Sequence, residues 1–299
     1  MSNTSGYTDS AWTIDDVRIS RLVDADCFNI ALDRLFPGAD TASLAGHQWL
    51  EPHHVDLGRG EALLGMHSFL IRTSTLNILV DTCIGAEKQR PTHPAWHQRA
   101  TTLFIDELAR NGLGPQDIDL VFCTHLHADH VGWNTRLENG HWVPTFPNAR
   151  YILSQQELTF WLEQASQPGP PVNHGALADS VLPIIANGQA MLSAAGDTFA
   201  AGLTLVGLPG HTIDHLGLEL RRPGGQALFC GDAIHSAAQL VRPDWTSAFC
   251  HDAEQAVSTR IAMLERAAEE SLLLVPAHFR GASAMRIRRN GGSFLPVDD

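Results

Sequence analysis

Apolar residues fall in short runs that stop at small or turn-forming residues, and those runs mark out the elements. Around Val17, Ile19 and Leu22 apolar and polar positions alternate, which predicts a first strand over 12–23. Residues 66–72 and 76–81 predict two strands about the polar link Thr73-Ser74-Thr75, a hairpin. Residues 99–110 put Leu103, Phe104 and Leu108 on one face and stop at Asn111-Gly112, as a helix does. The apolar run 118–123 reads as a buried strand. Residues 142–147 and 149–154 predict another strand pair. Ser154-Gln155-Gln156-Glu157 is a capping box opening a helix through Phe160, Trp161 and Leu162. Residues 168–171 form a loop, and 174–186 a short helix. Strands follow at 203–206, 227–230 and 272–275, and Asp252 caps a long helix carrying Ala256, Ile261, Met263 and Leu264.

Helices and strands interleave, so the class is α/β or a layered α+β arrangement. No linker or repeat divides the sequence, which predicts a single domain over 1–299. Residues 1–10 read as a flexible lead. Residues 27–62 hold Phe28, Leu35, Phe36 and Trp49 without clean periodicity. They read as an irregular excursion that walls an active site or packs on a second copy, making a homodimer.

Charge narrows the partners. Lys and Arg number 20 against 33 Asp and Glu, a formal charge of −13, which argues against a nucleic-acid backbone or an anionic membrane. The 5 cysteines are odd in number, and Cys123 and Cys230 sit in strand-like runs, which suits buried thiols in a reducing compartment. The polar N-terminus has no secretory pattern, and no apolar stretch is long enough to span a bilayer. A cytoplasmic location is the expectation.

The chemistry is concentrated in Thr124-His125-Leu126-His127-Ala128-Asp129-His130-Val131-Gly132-Trp133, directly after the strand at 118–123. Ligand-type residues packed as HxHxDH on a loop at the carboxyl end of a core strand point to metal binding. His125 and His127 can converge on one ion, and Asp129 and His130 can serve a second. Three more ligand-type residues follow apolar strands through a Gly or Pro: His211 in Pro209-Gly210-His211, Asp232 in Gly231-Asp232, and His278 in Pro276-Ala277-His278. Asp81, at the tip of another predicted strand, is placed to orient a ligand.

With these residues assembled, the sequence resembles the metallo-β-lactamase superfamily, from about Gly65 to about Leu295. The resemblance implies an αββα sandwich with a metal site at one edge of its two sheets. It implies that His125, His127 and His211 bind one divalent ion, that Asp129, His130 and His278 bind another, and that Asp232 bridges both. Two such ions lower the pKa of a shared water and polarise a scissile carbonyl or phosphoryl oxygen, with Asp129 as proton shuttle. Ligation by imidazole and carboxylate suits Zn²⁺, and also Mn²⁺, Fe²⁺ or Co²⁺.

Several branches of that superfamily fit poorly. One β-lactamase class has Cys where Asp232 stands, and the nucleic-acid-cleaving branch has basic surface and an extra domain. Flavodiiron proteins have Glu in place of His127, and glyoxalase II and the persulfide dioxygenases have Gly-Gly where Gly132-Trp133 stands. The N-acyl homoserine lactonase and methyl parathion hydrolase group remains, which implies opening of a lactone or activated aryl ester. A phosphotriesterase or hydrolytic dehalogenase is the alternative, and a mono-iron sulfur dioxygenase is the rival from another class. The lactonases carry Tyr three residues after the bridging Asp, where this chain has His235. His235 is therefore expected to contact the substrate and take part in catalysis. Trp133, Trp245 and Phe249 are expected to wall an apolar or aromatic small-molecule substrate.

Overall fold

The computed structural model describes residues 11–297, so the lead expected at 1–10 lies outside the described residues. Strands β1 (Ala11–Ile14) and β2 (Val17–Ala31) are followed by α1 (Leu32–Leu35), β3 (Val55–Asp56), β4 (Glu61–Arg72) and β5 (Asn77–Val80). Then come α2 (Leu103–Arg110), β6 (Leu120–Phe122), β7 (Thr135–Glu138), β8 (His141–Pro144), β9 (Arg150–Ser154), α3 (Gln155–Ala165) and α4 (Leu182–Ala186). The second half holds β10 (Ala190–Ser193), β11 (Thr198–Ala200), β12 (Leu203–Gly207), β13 (Leu216–Arg222), β14 (Gly225–Gly231) and α5 (Ala238–Val241). It closes with α6 (Ala253–Glu270), β15 (Leu273–Pro276), β16 (Ile287–Asn290) and β17 (Ser293–Pro296).

An 8-stranded sheet runs in the order β1-β2-β4-β5-β6-β9-β10 with β3 beside β4, and a 5-stranded sheet runs β11-β12-β13-β14-β15. Strand periodicity explains the layering, because successive side chains point to opposite faces. Ile78, Val80, Phe122 and Ile152 face Phe229, Leu273 and Val275 in a shared inner core. The intervening residues Leu79, Val121, Tyr151 and Leu153 face outward to pack on Phe104, Leu108 and Leu158 of α2 and α3. On the other sheet, Leu228, Cys230 and Leu274 face outward against Met263 and Leu264 of α6. The result is helix, sheet, sheet, helix.

The directions of the strands place the site. β5, β6 and β9 are mutually parallel, so their carboxyl ends share one edge. β12 and β14 each pair antiparallel with β13, and β14 is parallel to β15, so these three also end at a common edge. Asp81, His125, His211, Asp232 and His278 follow β5, β6, β12, β14 and β15 in turn. All of the expected ligand segments therefore emerge on strand ends, and the inner core does not have to admit them.

Several predicted elements need correction. The single strand expected over 12–23 is a hairpin of β1 and β2, and β2 continues to Ala31. The irregular excursion is consequently shorter than 27–62. Its Leu35, Phe36, Leu44, Leu50 and Val55 are buried in the same core as α6, and Phe28 and Trp49 pack against that core partly buried. The strand pair expected at 142–154 does not form. β8 pairs with β7 in a separate hairpin, while β9 joins the large sheet between β6 and β10. α2 starts at Leu103 rather than 99, because the Arg99 guanidinium is drawn into an ion pair with buried Asp24.

Candidate metal centre

The loop after β6 is held by contacts on both sides. Thr82 N–H donates to His130 O at 2.7 Å, and Gly132 N–H donates to Cys83 O at 2.7 Å. A Cβ at Gly132 would overlap the Ile84 carbonyl, so only glycine lets the loop approach this closely. Asp81 has a left-handed φ of 60° and aims its carboxylate at the loop. It accepts Thr124 N–H at 2.7 Å and lies 2.9 Å from His130 Nδ1. Asn173, from the segment before α4, accepts Ala128 N–H at 3.1 Å and donates to Leu126 O.

Sequence reasoning missed one anchor of this loop. Glu157 is fully buried, although the capping-box reading would leave its carboxylate at the surface. Ser154 Oγ accepts Glu157 N–H at 3.1 Å, which is one half of that box. The carboxylate does not return to Ser154. It accepts N–H groups of Leu126 at 3.4 Å and Asp214 at 3.2 Å and the Trp161 indole N–H at 3.3 Å. One side chain thus ties α3 to both the HxHxDH loop and the His211 loop.

The ligand atoms converge as two groups about one carboxylate. His125 Nε2 and His211 Nε2 each lie 3.0 Å from His127 Nδ1. Asp129, His130 and His278 form a second group able to hold an ion. Between them Asp232 places Oδ2 3.3 Å from His211 Nε2 and 3.4 Å from His130 Nε2, and Oδ1 3.1 Å from His278 Nε2. A neutral imidazole carries one N–H, so hydrogen bonds alone do not satisfy this many facing nitrogens. His130 Nε2 and Asp232 Oδ1 are in fact buried without a hydrogen-bond partner among the described residues. Orphaned, inward-facing lone pairs of this kind fit cations.

The far ring nitrogens are oriented as metal-binding imidazoles require. His130 Nδ1 faces Asp81, His278 Nδ1 lies 2.9 Å from Gly65 O, and His125 Nδ1 lies 3.0 Å from Thr124 Oγ1. Burial, with neighbouring imidazoles, holds His125 well below the ordinary imidazole range. His211 is held well below it too, by burial against the opposing pull of Asp232. His130 is displaced upward: burial opposes its charge, but the carboxylates of Asp232, Asp81 and Asp129 outweigh it. Asp232 stays well below the carboxylate range, because His278, His130 and His235 overcome its burial.

The remaining expected residues are placed unequally. His235 lies within the cluster, its Nε2 3.4 Å from Asp232 Oδ2. Trp133 is in the core instead of on a cleft wall: it is 5% exposed, its ring stacks on Phe104 at 5.8 Å, and its indole donates to Asp24 at 3.1 Å. Trp245 is likewise buried, against Phe36 at 5.7 Å. Both rings were expected on the wall for their nearness in sequence to ligands, but their apolar faces are taken up by the core. Phe249 is 53% exposed, next to Cys250, whose Sγ is 3.6 Å from His211 Nδ1. One aromatic ring beside a ligand was not anticipated: Trp161 of α3 lies 5.8 Å from His127, edge to face, and is partly exposed.

A second unanticipated residue lies beneath the ligands. His215 is fully buried, and its Nε2 accepts Asp232 N–H at 3.0 Å. Gly231, at φ +48°, passes so close that a Cβ would collide with that ring. Its only sequence signal was its place shortly after His211.

Comparison with known proteins agrees with this architecture. The family model described as the metallo-beta-lactamase superfamily matches residues 64–278. A probable metallo-hydrolase of Mycobacterium tuberculosis is 25% identical over 261 residues, 76% of this chain and 79% of the relative. Among solved structures, the hydrolase AbOPH of the beta lactamase superfamily aligns with a TM-score of 0.79 at 24% identity over 97% of each chain. AidC, a dizinc quorum-quenching lactonase in complex with a product, aligns with a TM-score of 0.77 at 18% identity, covering 98% of this chain and 99% of that one.

Proposed function

Because the chain belongs to the metallo-β-lactamase superfamily, we propose that it is a metal-dependent hydrolase holding two divalent ions and opening a lactone or an activated aryl ester. The observation that carries this reading is the pair of ligand groups, His125/His127/His211 and Asp129/His130/His278, on either side of the Asp232 carboxylate. Ions held there supply Lewis acidity, which lowers the pKa of a water toward neutrality and polarises a carbonyl oxygen. Imidazole and carboxylate donors without thiolate suit Zn²⁺, and Mn²⁺, Fe²⁺ or Co²⁺ are compatible.

The chain's own residues do the rest. Asp129 has 16% side-chain exposure against 5% for Asp232, and its oxygens lie 3.9 Å from His130 Nε2 and 3.8 Å from His278 Nε2. Its Oδ1 faces His130 and its Oδ2 faces His278, so an ion held through one oxygen would leave the other to take a proton from the attacking water and return it to the leaving oxygen. Asp81, Thr124 and Glu157 hold the loop, so little reorganisation is needed when charge develops. We assign the substrate approach to Trp161, 5.8 Å from His127, and to the exposed Phe249 that precedes Cys250 in sequence, which favours an acyl or aryl substrate. The fold likeness to the lactonase AidC and the relationship to a probable metallo-hydrolase support hydrolysis, with the lactone as first candidate.

The test combines elemental analysis with a substrate panel of lactone, aryl ester and phosphotriester. Two divalent ions per chain and turnover led by lactone or aryl ester are expected. One iron per chain with oxygen uptake would overturn the reading in favour of a dioxygenase. A phosphotriester leading the panel would keep the metal assignment and replace the substrate class.

A further inference from the structure

His235 is built into the ligand cluster rather than poised over it. Its backbone is fixed, since His235 N–H donates to Gln239 Oε1 at 2.7 Å, and the Gln239 amide in turn donates to Trp245 O at 2.9 Å. Ile234 before it is fully buried in the core under α6. The ring itself is 3% exposed, and neither of its nitrogens has a hydrogen-bond partner among the described residues. Leaving a buried polar atom unpaired costs on the order of 1–3 kcal/mol, so such an atom in a native cluster needs an explanation.

Its surroundings supply one. Nε2 lies 3.4 Å from Asp232 Oδ2, the same oxygen that faces His211 Nε2 at 3.3 Å. His235, His211 and Asp232 bring their ligand atoms within 4.8 Å of one another. The orphaned Nε2 shares this condition with His130 Nε2 and Asp232 Oδ1, both expected ligand atoms. His215 and His67 provide the contrast. His215 spends its Nε2 on Asp232 N–H, and His67, although buried with an orphaned Nε2, belongs to no ligand group.

We propose that His235 is an additional metal ligand, its Nε2 joining His211 and Asp232 on the ion held by His125 and His127. The inference rests on the metal-hydrolase reading above. It makes that ion's surroundings rich in imidazole, while the other ion keeps the carboxylates of Asp129 and Asp232 with two imidazoles. The two positions therefore differ in metal preference: the first favours Co²⁺, Ni²⁺ or Zn²⁺, and the second accepts Mn²⁺ more readily. It also revises the expectation that His235 serves only the substrate, because its removal then disturbs the metal before any substrate binds.

The test uses the full-length chain freed of metal and reloaded with Co²⁺. In the wild type, proton NMR should show a hyperfine-shifted, exchangeable imidazole N–H signal for each of His125, His127, His130, His211, His278 and His235. His235→Gln should remove one of these. Chelator competition should show the first Co²⁺ bound at least about 10-fold more weakly in His235→Ala, given that even residues supporting a ligand cost 10–100-fold. Its visible absorption should change, and added imidazole should restore both readings. A wild type that holds two Co²⁺ without the His235 signal, or variants with unchanged first-ion affinity, would overturn the assignment and leave His235 to the substrate. A wild type that takes up no Co²⁺ would instead overturn the metal reading beneath it. Should His235→Ala fail to fold, the wild-type spectrum still decides.

Discussion

Around the ligands, single atoms decide what each residue contributes. Asp81 binds no candidate ion in this arrangement, but its two oxygens accept Thr124 N–H and face His130 Nδ1 from a left-handed backbone. Asp81→Asn tolerates that backbone, since Asn visits the left-handed region readily. The amide, however, presents a donor where two donors already point. Metal affinity should fall about 10–100-fold, as for other lost ligand supports, and chelator competition would measure it. An unchanged affinity would mean that Thr124 and Gly132 hold the loop unaided. Asp129→Asn acts differently, because Asp129 serves a ligand group and the proposed proton transfer together. Its kcat should drop by about 10²-fold or more with every substrate. A drop confined to one substrate would make Asp129 a recognition residue instead.

At the scale of elements, what could be read in the sequence follows from how far apart the partners lie. The ligand segments were legible because each sits on its own strand end, where an apolar run, a turn residue and a ligand are consecutive. That these strands are buried was legible for the same local reason, since β5, β6, β14 and β15 are short apolar runs, but which side chains face the other sheet was not. The supports were not legible. Glu157 meets Leu126 and Asp214, Asn173 meets Leu126, and Asp24 meets Trp133 and Arg99, all across long stretches of chain. The misplaced Trp133 and the misread β8 have a related cause, since an apolar run shows that a face is buried but not which neighbour covers it. α3 is the element in which local and remote signals meet. Glu157→Gln keeps an acceptor for Leu126 N–H or Asp214 N–H, but not charge-assisted bonds to both. It should lower metal retention by about 10-fold and leave α3 formed, which circular dichroism and chelator competition together would check. Loss of helix content without loss of metal would reduce Glu157 to a part of α3 alone.

Across the whole molecule, the segment after the HxHxDH loop is locked to the region before α2 by two cations with no exposure and a carboxylate with little. Lys88 and Arg90 side chains are fully buried. Arg90 grips Asp179 with bonds of 2.6 and 2.9 Å, while Lys88 donates to Thr135 Oγ1 at 2.6 Å and stacks over Trp142 at 3.6 Å. One carboxylate thus serves two buried cations. Removing it leaves both uncompensated, and breaking a buried pair from one side costs about 3–5 kcal/mol. Asp179→Asn should therefore lose that much in urea denaturation at neutral pH. Lys88→Met should change stability little, because Asp179 keeps Arg90 and an apolar side chain suits the Trp142 ring. pH separates the two further. Burial, against the pull of Asp179, lowers Lys88 from 10.5 to about 7. The unfolded chain then binds more protons than the folded one between those values, so wild-type stability should rise with pH across that window. Lys88→Met should flatten the rise, while Asp179→Asn should extend it to lower pH, since without Asp179 the buried Lys88 loses its proton more readily. A slope that ignores both substitutions would show that Lys88 is charged and satisfied in the fold, through Thr135 and the Trp142 face instead of Asp179.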